Sequence, residues 1–155
     1  MKRLRIYIDT SVVGGVFDSE FADLTRRFFD QIRAGDSILL VSDLLIEELS
    51  DAPATVRSYL SGIPRECVEE LLRDAETTAL RDAYLAAGVV GVSSADDAAH
   101  VAIATVARAD LITSWNFRHF VNLVKIRRFN AVNLRNGYNL IDIRSPQEVL
   151  RHEEE

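Results

Sequence analysis

Asp9, Glu48, the pair Asp96–Asp97 and Asn116 carry oxygen donors in settings where a side chain can do chemistry. Asp9 closes the apolar run Leu4–Ile8, and Thr10 and Ser11 follow it. Those two hydroxyls can cap the next helix and leave the Asp9 carboxylate free to face a cleft; a turn or capping role for Asp9 itself is the plainer alternative. Helical geometry separates Glu48 from Glu47. At about 100° per residue, Leu44, Leu45, Ile46 and Leu49 form an apolar stripe, with Glu48 at its edge and Glu47 projecting into solvent. A carboxylate pressed against apolar surface is costly unless paired, protonated or bound to metal. Glu48 is therefore the candidate ligand, with a half-exposed boundary residue as the alternative.

Asp96 and Asp97 open an alanine-rich helix, where Ser94-x-x-Asp97 resembles a capping box and either acid favours the helix N-terminus. His100 lies one turn further on. An Asp-x-x-His pair can coordinate a metal, but a buried histidine that supports a neighbouring ligand is the favoured reading. Asn116 follows the apolar run Leu111–Thr113, with Ser114 nearby. Its amide can offer one neutral oxygen to a hard cation or close an Asx turn. Trp115 and Phe117 either pack the core, which is the expectation, or stack on unpaired bases. The single cysteine, Cys67, forms no internal disulfide and builds no thiolate site. Hard oxygen donors after three apolar runs suit Mg²⁺ or Mn²⁺ rather than zinc. Such ions activate water and offset charge on a scissile phosphate.

The elements that must position these groups are legible in outline. Leu4–Ile8, Ser37–Val41, Leu111–Thr113 and Leu140–Ile143 read as short buried strands. Between them the periodicity predicts a helix from about Phe21 to Ala34, with Leu24, Phe28, Phe29 and Ile32 on one face and Gly35 as its stop. Ser42 caps a short helix through Leu49. Helices follow over Ala54–Leu60 and Arg65–Ala87, parted by Gly62-Ile63-Pro64 and ended by Gly88, and then over Ser94–Ala109. Cys67 falls in the second of these as a small core residue. Strands alternating with helices imply an α/β fold whose mainly parallel sheet is covered on both faces. In such sheets ligands collect beyond the carboxyl ends of the strands, where these oxygen donors lie. One domain over 1–150, with an acidic tail at 151–155, is the expected organisation.

The 155 residues are 48% hydrophobic and 27% charged, ordinary values for a globular chain. No apolar run approaches the roughly 20 residues that span a bilayer, and Asp9 interrupts the basic N-terminal segment before it resembles a signal peptide. A cytoplasmic location is expected. The net charge of −6 is unevenly spread: no acid occurs between Asp110 and Asp142, a stretch holding Arg118, Lys125, Arg127, Arg128 and Arg135. Such a face can hold a phosphate backbone, or be merely solvated. Gly14-Gly15 lacks the spacing of a dinucleotide-binding turn. Ser11 stands where an aspartate-nucleophile phosphatase would need a second aspartate.

Ile6-Tyr7-Ile8-Asp9-Thr10-Ser11, Ser42 through Glu48-Leu49, Asp97-Ala98-x-His100-x-Ala102-x-Ala104 and Ile112-x-Ser114-Trp115-Asn116, in that order, resemble the PIN domain family. That family includes the VapC-type toxins of toxin–antitoxin pairs. The resemblance spans about residues 4–120. It implies a Rossmann-like three-layer fold and Mg²⁺- or Mn²⁺-dependent endoribonuclease activity. It places Asp9, Glu48, Asp97 and Asn116 at the metal and catalytic positions. Thr10, Ser11, Ser114 and His100 would stand behind them, and Arg118, Lys125, Arg127 and Arg128 would hold the RNA backbone. An antitoxin partner and a homodimer are further implications. Asn116 departs from the usual aspartate, and Phe117-Arg118-His119-Phe120 departs from the usual continuation. These departures leave open a silent PIN-like module that only binds RNA or protein.

Overall fold

The structure, a computed structural model, describes residues 3–154, and side chains within it for residues 3–150. Strand β1 (Leu4–Ile8) is the centre of a five-stranded parallel sheet. It pairs on one side with β2 (Ser37–Ser42) and on the other with β4 (Leu111–Thr113). Outside these run β3 (Val68–Leu71) and β5 (Asp142–Arg144), giving the order β3-β2-β1-β4-β5. The chain winds outward in one direction through β2 and β3, then returns to start again at β4. The switch point therefore lies between β1 and β4, where Ile8 is paired with Thr113.

Alternation along the strands divides the core into two layers. Ile6 and Ile8 point to one face and join Leu39, Val41, Phe28, Phe29 and Ile32 beneath α1 (Thr10–Gly15), α2 (Ala22–Arg33) and α8 (Pro146–Glu154). Tyr7 and Leu40 point to the other face. There they meet α5 (Ala75–Ala86), α6 (Ala95–Val106) and α7 (Leu123–Arg135), with Tyr84, Val101 and Phe129 among the contacts. Each fully buried aliphatic chain contributes roughly 1.5–3 kcal/mol. The expected three-layer α/β fold is the observed one. The strands at 4–8, 37–42 and 111–113, the helix ending at Gly35, and the buried α6 stand where the periodicity places them. Gly35 has φ 88°, the left-handed conformation that ends α2.

Several local readings are corrected. Val68–Leu71, read as part of a helix from Arg65, is the edge strand β3, and α5 begins only at Ala75 behind an Asp74–Thr77 capping box. Val68-Glu69-Glu70-Leu71 has no strand periodicity, and its pairing with β2 decides its conformation. Cys67 is buried as expected, but in a 3-10 turn rather than a helix. The helix from Ala54 (α4) stops at Arg57, followed by a 3-10 turn. The last strand begins at Asp142 rather than Leu140. The basic stretch after Phe120 holds the 13-residue α7, whose N-cap Asn122 accepts from the amides of Val124 and Lys125. The expected acidic tail falls on α8, whose backbone is helical through Glu154. Met1, Lys2 and Glu155, and the side chains of 151–154, lie outside the described residues.

Candidate active site

Asp9 leaves the end of β1 as the residue preceding α1, but its side chain caps nothing. The carboxylate is 5% exposed and turned toward the switch point. The Ser11 hydroxyl donates to Oδ1 at 2.6 Å and the Ser114 hydroxyl donates to Oδ2 at 2.9 Å. Ser11 also accepts the Trp115 amide and Ser114 accepts the Asn116 amide, so the two serines tie the end of β1 to the end of β4. Burial pushes the Asp9 carboxyl above its ordinary range. Attraction to His100 and the two serine bonds pull it down, Asp97 pushes it up again, and the net direction is upward. Two hydroxyls do not compensate this buried charge.

The second acid stands on α3 (Asp43–Leu49), which Ser42 caps by accepting the Leu45 amide. Glu48 is half-buried while Glu47 is exposed and paired with Arg73, as the helical geometry predicted. Ile46 corrects part of that reading, being 54% exposed rather than part of the apolar stripe. His100 Nε2 lies 2.5 Å from Glu48 Oε1, and Thr10 donates to the same oxygen at 2.7 Å. On its other side, His100 Nδ1 lies 2.6 Å from the Tyr7 hydroxyl, which is 2.9 Å from Ser42 Oγ. Burial raises the Tyr7 phenol far above its usual range and keeps it neutral. Burial also pushes Glu48 upward, but the bond and charge of His100, the Thr10 bond and Arg73 outweigh it, and the carboxyl sits below its ordinary range.

The third acid, Asp97, lies in the first turn of α6. The capping box does not form: Ser94 makes no side-chain cap bond. Asp97 instead meets His119, whose Nδ1 lies 2.6 Å from Oδ2. His119 comes from the turn after β4, which Asn116 shapes. Asn116 Oδ1 accepts the amides of Arg118 at 3.1 Å and His119 at 3.0 Å. Of the two readings for Asn116, the Asx turn is the one seen, and it takes both lone pairs of that oxygen. Trp115 is buried as expected, stacked on Phe21 at 4.2 Å with its indole N–H donated to Thr25. Gly15 makes room for it, since a Cβ there would lie 2.8 Å from Trp115 Nε1. Phe117 corrects the packing expectation: it is 51% exposed.

The three acids share neighbours. Asp9 feels both His100 and Asp97, and Tyr7 feels both Asp9 and Glu48. They do not close a complete ligand shell: among the described residues, no three His, Cys, Asp or Glu side chains surround a common point. Each outer acid is turned to a histidine. The donor chemistry still suits a hard cation, because Mg²⁺ commonly takes one or two carboxylates and keeps several waters. Asp9, on which the charge of Asp97 acts, would hold one together with Asp97. A surface cavity of about 500 Å³ lies elsewhere, beside β3, and is lined by residues that include Ile46, Leu60, Val68 and Leu72.

Sequence reasoning missed Tyr7 and His119. Tyr7 reads as a core aromatic, and only its period-two relation to Asp9 marks its face. His119 sits in the segment that departs from the resemblance. Two expected backbone-binding residues have structural partners: Lys125 Nζ donates to the Val89 carbonyl and Arg128 to the Gly88 carbonyl, where they fasten the end of α5. Arg118 and Arg127 are exposed, with no hydrogen bond from their guanidinium groups among the described residues.

No protein-family model matches the chain, and comparison with curated proteins returns no match. Solved structures do match. VapBC2 from Rickettsia felis, bound to a promoter DNA fragment, aligns with a TM-score of 0.61 at 12% identity, covering 92% of this chain and 98% of that one. FitAcB from Neisseria gonorrhoeae aligns at 0.56 and 12% identity, covering 92% and 98%. VapC20 from Mycobacterium tuberculosis, a sarcin-ricin loop cleaving toxin, aligns at 0.51 and 13% identity, covering 88% and 98%. The chain shares the fold of these structures. In this fold the β1–β4 switch point carries Asp9 and Ser114, and the N-terminus of α6 carries Asp97. At such low identity the likeness speaks for the fold, and the chemistry rests on the side chains.

Proposed function

We propose that the chain is a Mg²⁺- or Mn²⁺-dependent endoribonuclease, and the toxin of a toxin–antitoxin pair. The single observation that carries this reading is Asp9: a buried carboxylate at the switch point, pushed upward by burial and by Asp97, which an added cation would relieve. Asp9 and Asp97 would hold the ion. A bound Mg²⁺ or Mn²⁺ would supply activation of water and charge neutralisation at the scissile phosphate. Glu48, kept ionised by His100 and Thr10, orients the attacking water through the oxygen those partners leave free. Ser11 and Ser114 fix the Asp9 carboxylate, and Asn116 shapes the turn that brings His119 to Asp97. Arg118 and Arg127 hold the RNA backbone without reading its sequence. VapBC2 and FitAcB are the basis for proposing an antitoxin partner; the homodimer rests on the family resemblance. No helix among the described residues is long and apolar enough to cross a membrane, and we place the protein in the cytoplasm.

A second reading is a PIN-fold module that binds RNA or protein without cutting. It is favoured by Asn116, whose oxygen is committed to two amides. The deciding experiment incubates a mixed cellular RNA pool with wild type and Asp9→Asn, in Mg²⁺, Mn²⁺ or chelator. Cleavage by wild type alone, and only with cation, is expected. Equal cleavage by Asp9→Asn overturns the nuclease assignment. Absence of cleavage, with no rise in melting temperature on adding Mn²⁺, supports the binding module.

A further inference from the structure

The turn from Asn116 to Phe120 sends its side chains two ways. Asn116 caps its own turn, His119 reaches Asp97, and Phe120 is fully buried. Phe117 and Arg118, adjacent in the chain, are both exposed. Phe117 is 51% exposed, although a phenyl ring gains by leaving water. The ring is well supported: its centroid lies 6.1 Å from that of Trp115, which stacks on Phe21. An exposed ring backed by a buried aromatic series loses little freedom on binding. Its place is set by chain length. Phe117 is three residues from Ser114, which holds Asp9, and two from His119, which holds Asp97, so its Cα lies within about 11 Å and 8 Å of theirs.

We propose that Phe117 and Arg118 form a cradle for one unpaired nucleotide beside the bond that is cut. The ring stacks on the base and the guanidinium holds a neighbouring phosphate. This inference rests on the nuclease reading and adds to it the two residues that seat one unpaired nucleotide of the substrate. Stacking tolerates any base, because every base has a π-face, and a duplex offers none that is free. Arg118 adds a contact that carries no sequence information.

The test measures binding of a fluorescent single-stranded RNA oligonucleotide with chelator present, alongside emission from Trp115, the only tryptophan. Wild type should bind the single strand, change its tryptophan emission, and be competed by single-stranded but not duplex RNA. Phe117→Ala should weaken binding about tenfold or more, while Phe117→Tyr restores it. Arg118→Gln should weaken binding and reduce the slope of affinity against salt by about one phosphate contact. Circular dichroism confirms that each variant is folded. If wild type cuts RNA but Phe117→Ala binds as tightly, the cradle alone is overturned. If Phe117→Ala changes only self-association, the ring belongs to a contact between copies and the cradle is again overturned. If wild type neither binds nor cuts RNA, the nuclease reading falls and takes the cradle with it.

Discussion

Glu48 and His100 are joined across 2.5 Å, and that contact couples α3 to α6 above the carboxyl ends of the strands. His100 is 2% exposed and its far nitrogen meets the Tyr7 hydroxyl, so the imidazole cannot swing away. The chain Ser42–Tyr7–His100–Glu48 is a buried polar network in which each member orients the next. Removing one member leaves the others with buried, unmatched polar groups.

The first prediction concerns that network. His100→Ala should cost about 1–3 kcal/mol of stability, the penalty for buried groups that lose their partner. Tyr7→Phe removes one hydroxyl and should cost about 1 kcal/mol. Because the Glu48 carboxyl sits below its ordinary range, its ionisation adds stability above the unfolded glutamate pKa. That contribution disappears as pH falls through the lower folded value. Urea melts of wild type and Glu48→Gln over an acidic pH series check the sign. The difference between the two proteins should narrow toward low pH.

Asp9 behaves in the opposite sense. Its carboxyl is raised, so the fold favours the protonated form, and the associated stability is complete below the unfolded aspartate pKa and lost as pH rises through the folded value. Asp9→Asn removes this penalty at neutral pH. Without cation it should melt higher than wild type; a gain of about 1 kcal/mol corresponds to roughly 2–4 °C. It should also lose any melting shift caused by Mn²⁺. A variant that is stabilised yet inactive is the pattern of a charge kept for function at a cost in stability.

Much of this was legible in the chain itself, and the gaps have physical causes. Ile6–Ile8 and the Ala98–Thr105 part of α6 are buried, so their patterns follow from burial alone. The β3 strand was hidden because Val68-Glu69-Glu70-Leu71 is an edge whose conformation comes from pairing with β2. The α7 helix was hidden because it is polar and exposes Leu123, Val124 and Leu134. Asp9 follows a strand and Asp97 lies in the first turn of a helix, which makes their carboxylates conspicuous, and Glu48 shows by its place at the edge of an apolar helix face. His119 does not, since only the folded turn brings it to Asp97. Charge patterning placed Lys125 and Arg128 among the phosphate contacts because a sequence does not show nearby backbone carbonyls.

Those two cations give the next prediction. Arg128 reaches the carbonyl of Gly88 at the end of α5, and Lys125 reaches that of Val89. Arg128→Ala and Lys125→Ala should each lower stability by about 1 kcal/mol, as loss of a charge-assisted bond at a helix end does. RNA affinity and its salt dependence should stay close to wild type. Arg127→Ala should do the reverse, leaving the melting temperature alone while lowering the salt slope by about one. Melting curves and binding isotherms at several salt concentrations separate the two outcomes.

Asn116 supplies the last prediction. Its oxygen accepts the amides of Arg118 and His119, and an aspartate accepts the same two bonds with the same geometry. Asn116→Asp should therefore keep the turn and the Asp97–His119 contact. It also adds a negative charge two residues from Ser114, whose hydroxyl binds Asp9. A third carboxylate beside Asp9 and Asp97 increases the attraction for a divalent cation, so Mn²⁺ affinity by calorimetry should rise by about tenfold, the effect of roughly 1.4 kcal/mol. Without cation the same charge repels its neighbours and should lower the melting temperature. Asn116→Ala, lacking an acceptor, should lose about 1 kcal/mol of stability and gain no cation affinity. Unchanged Mn²⁺ binding in a folded Asn116→Asp protein would show that this position does not reach the ion, leaving Asn116 as the residue that shapes the turn.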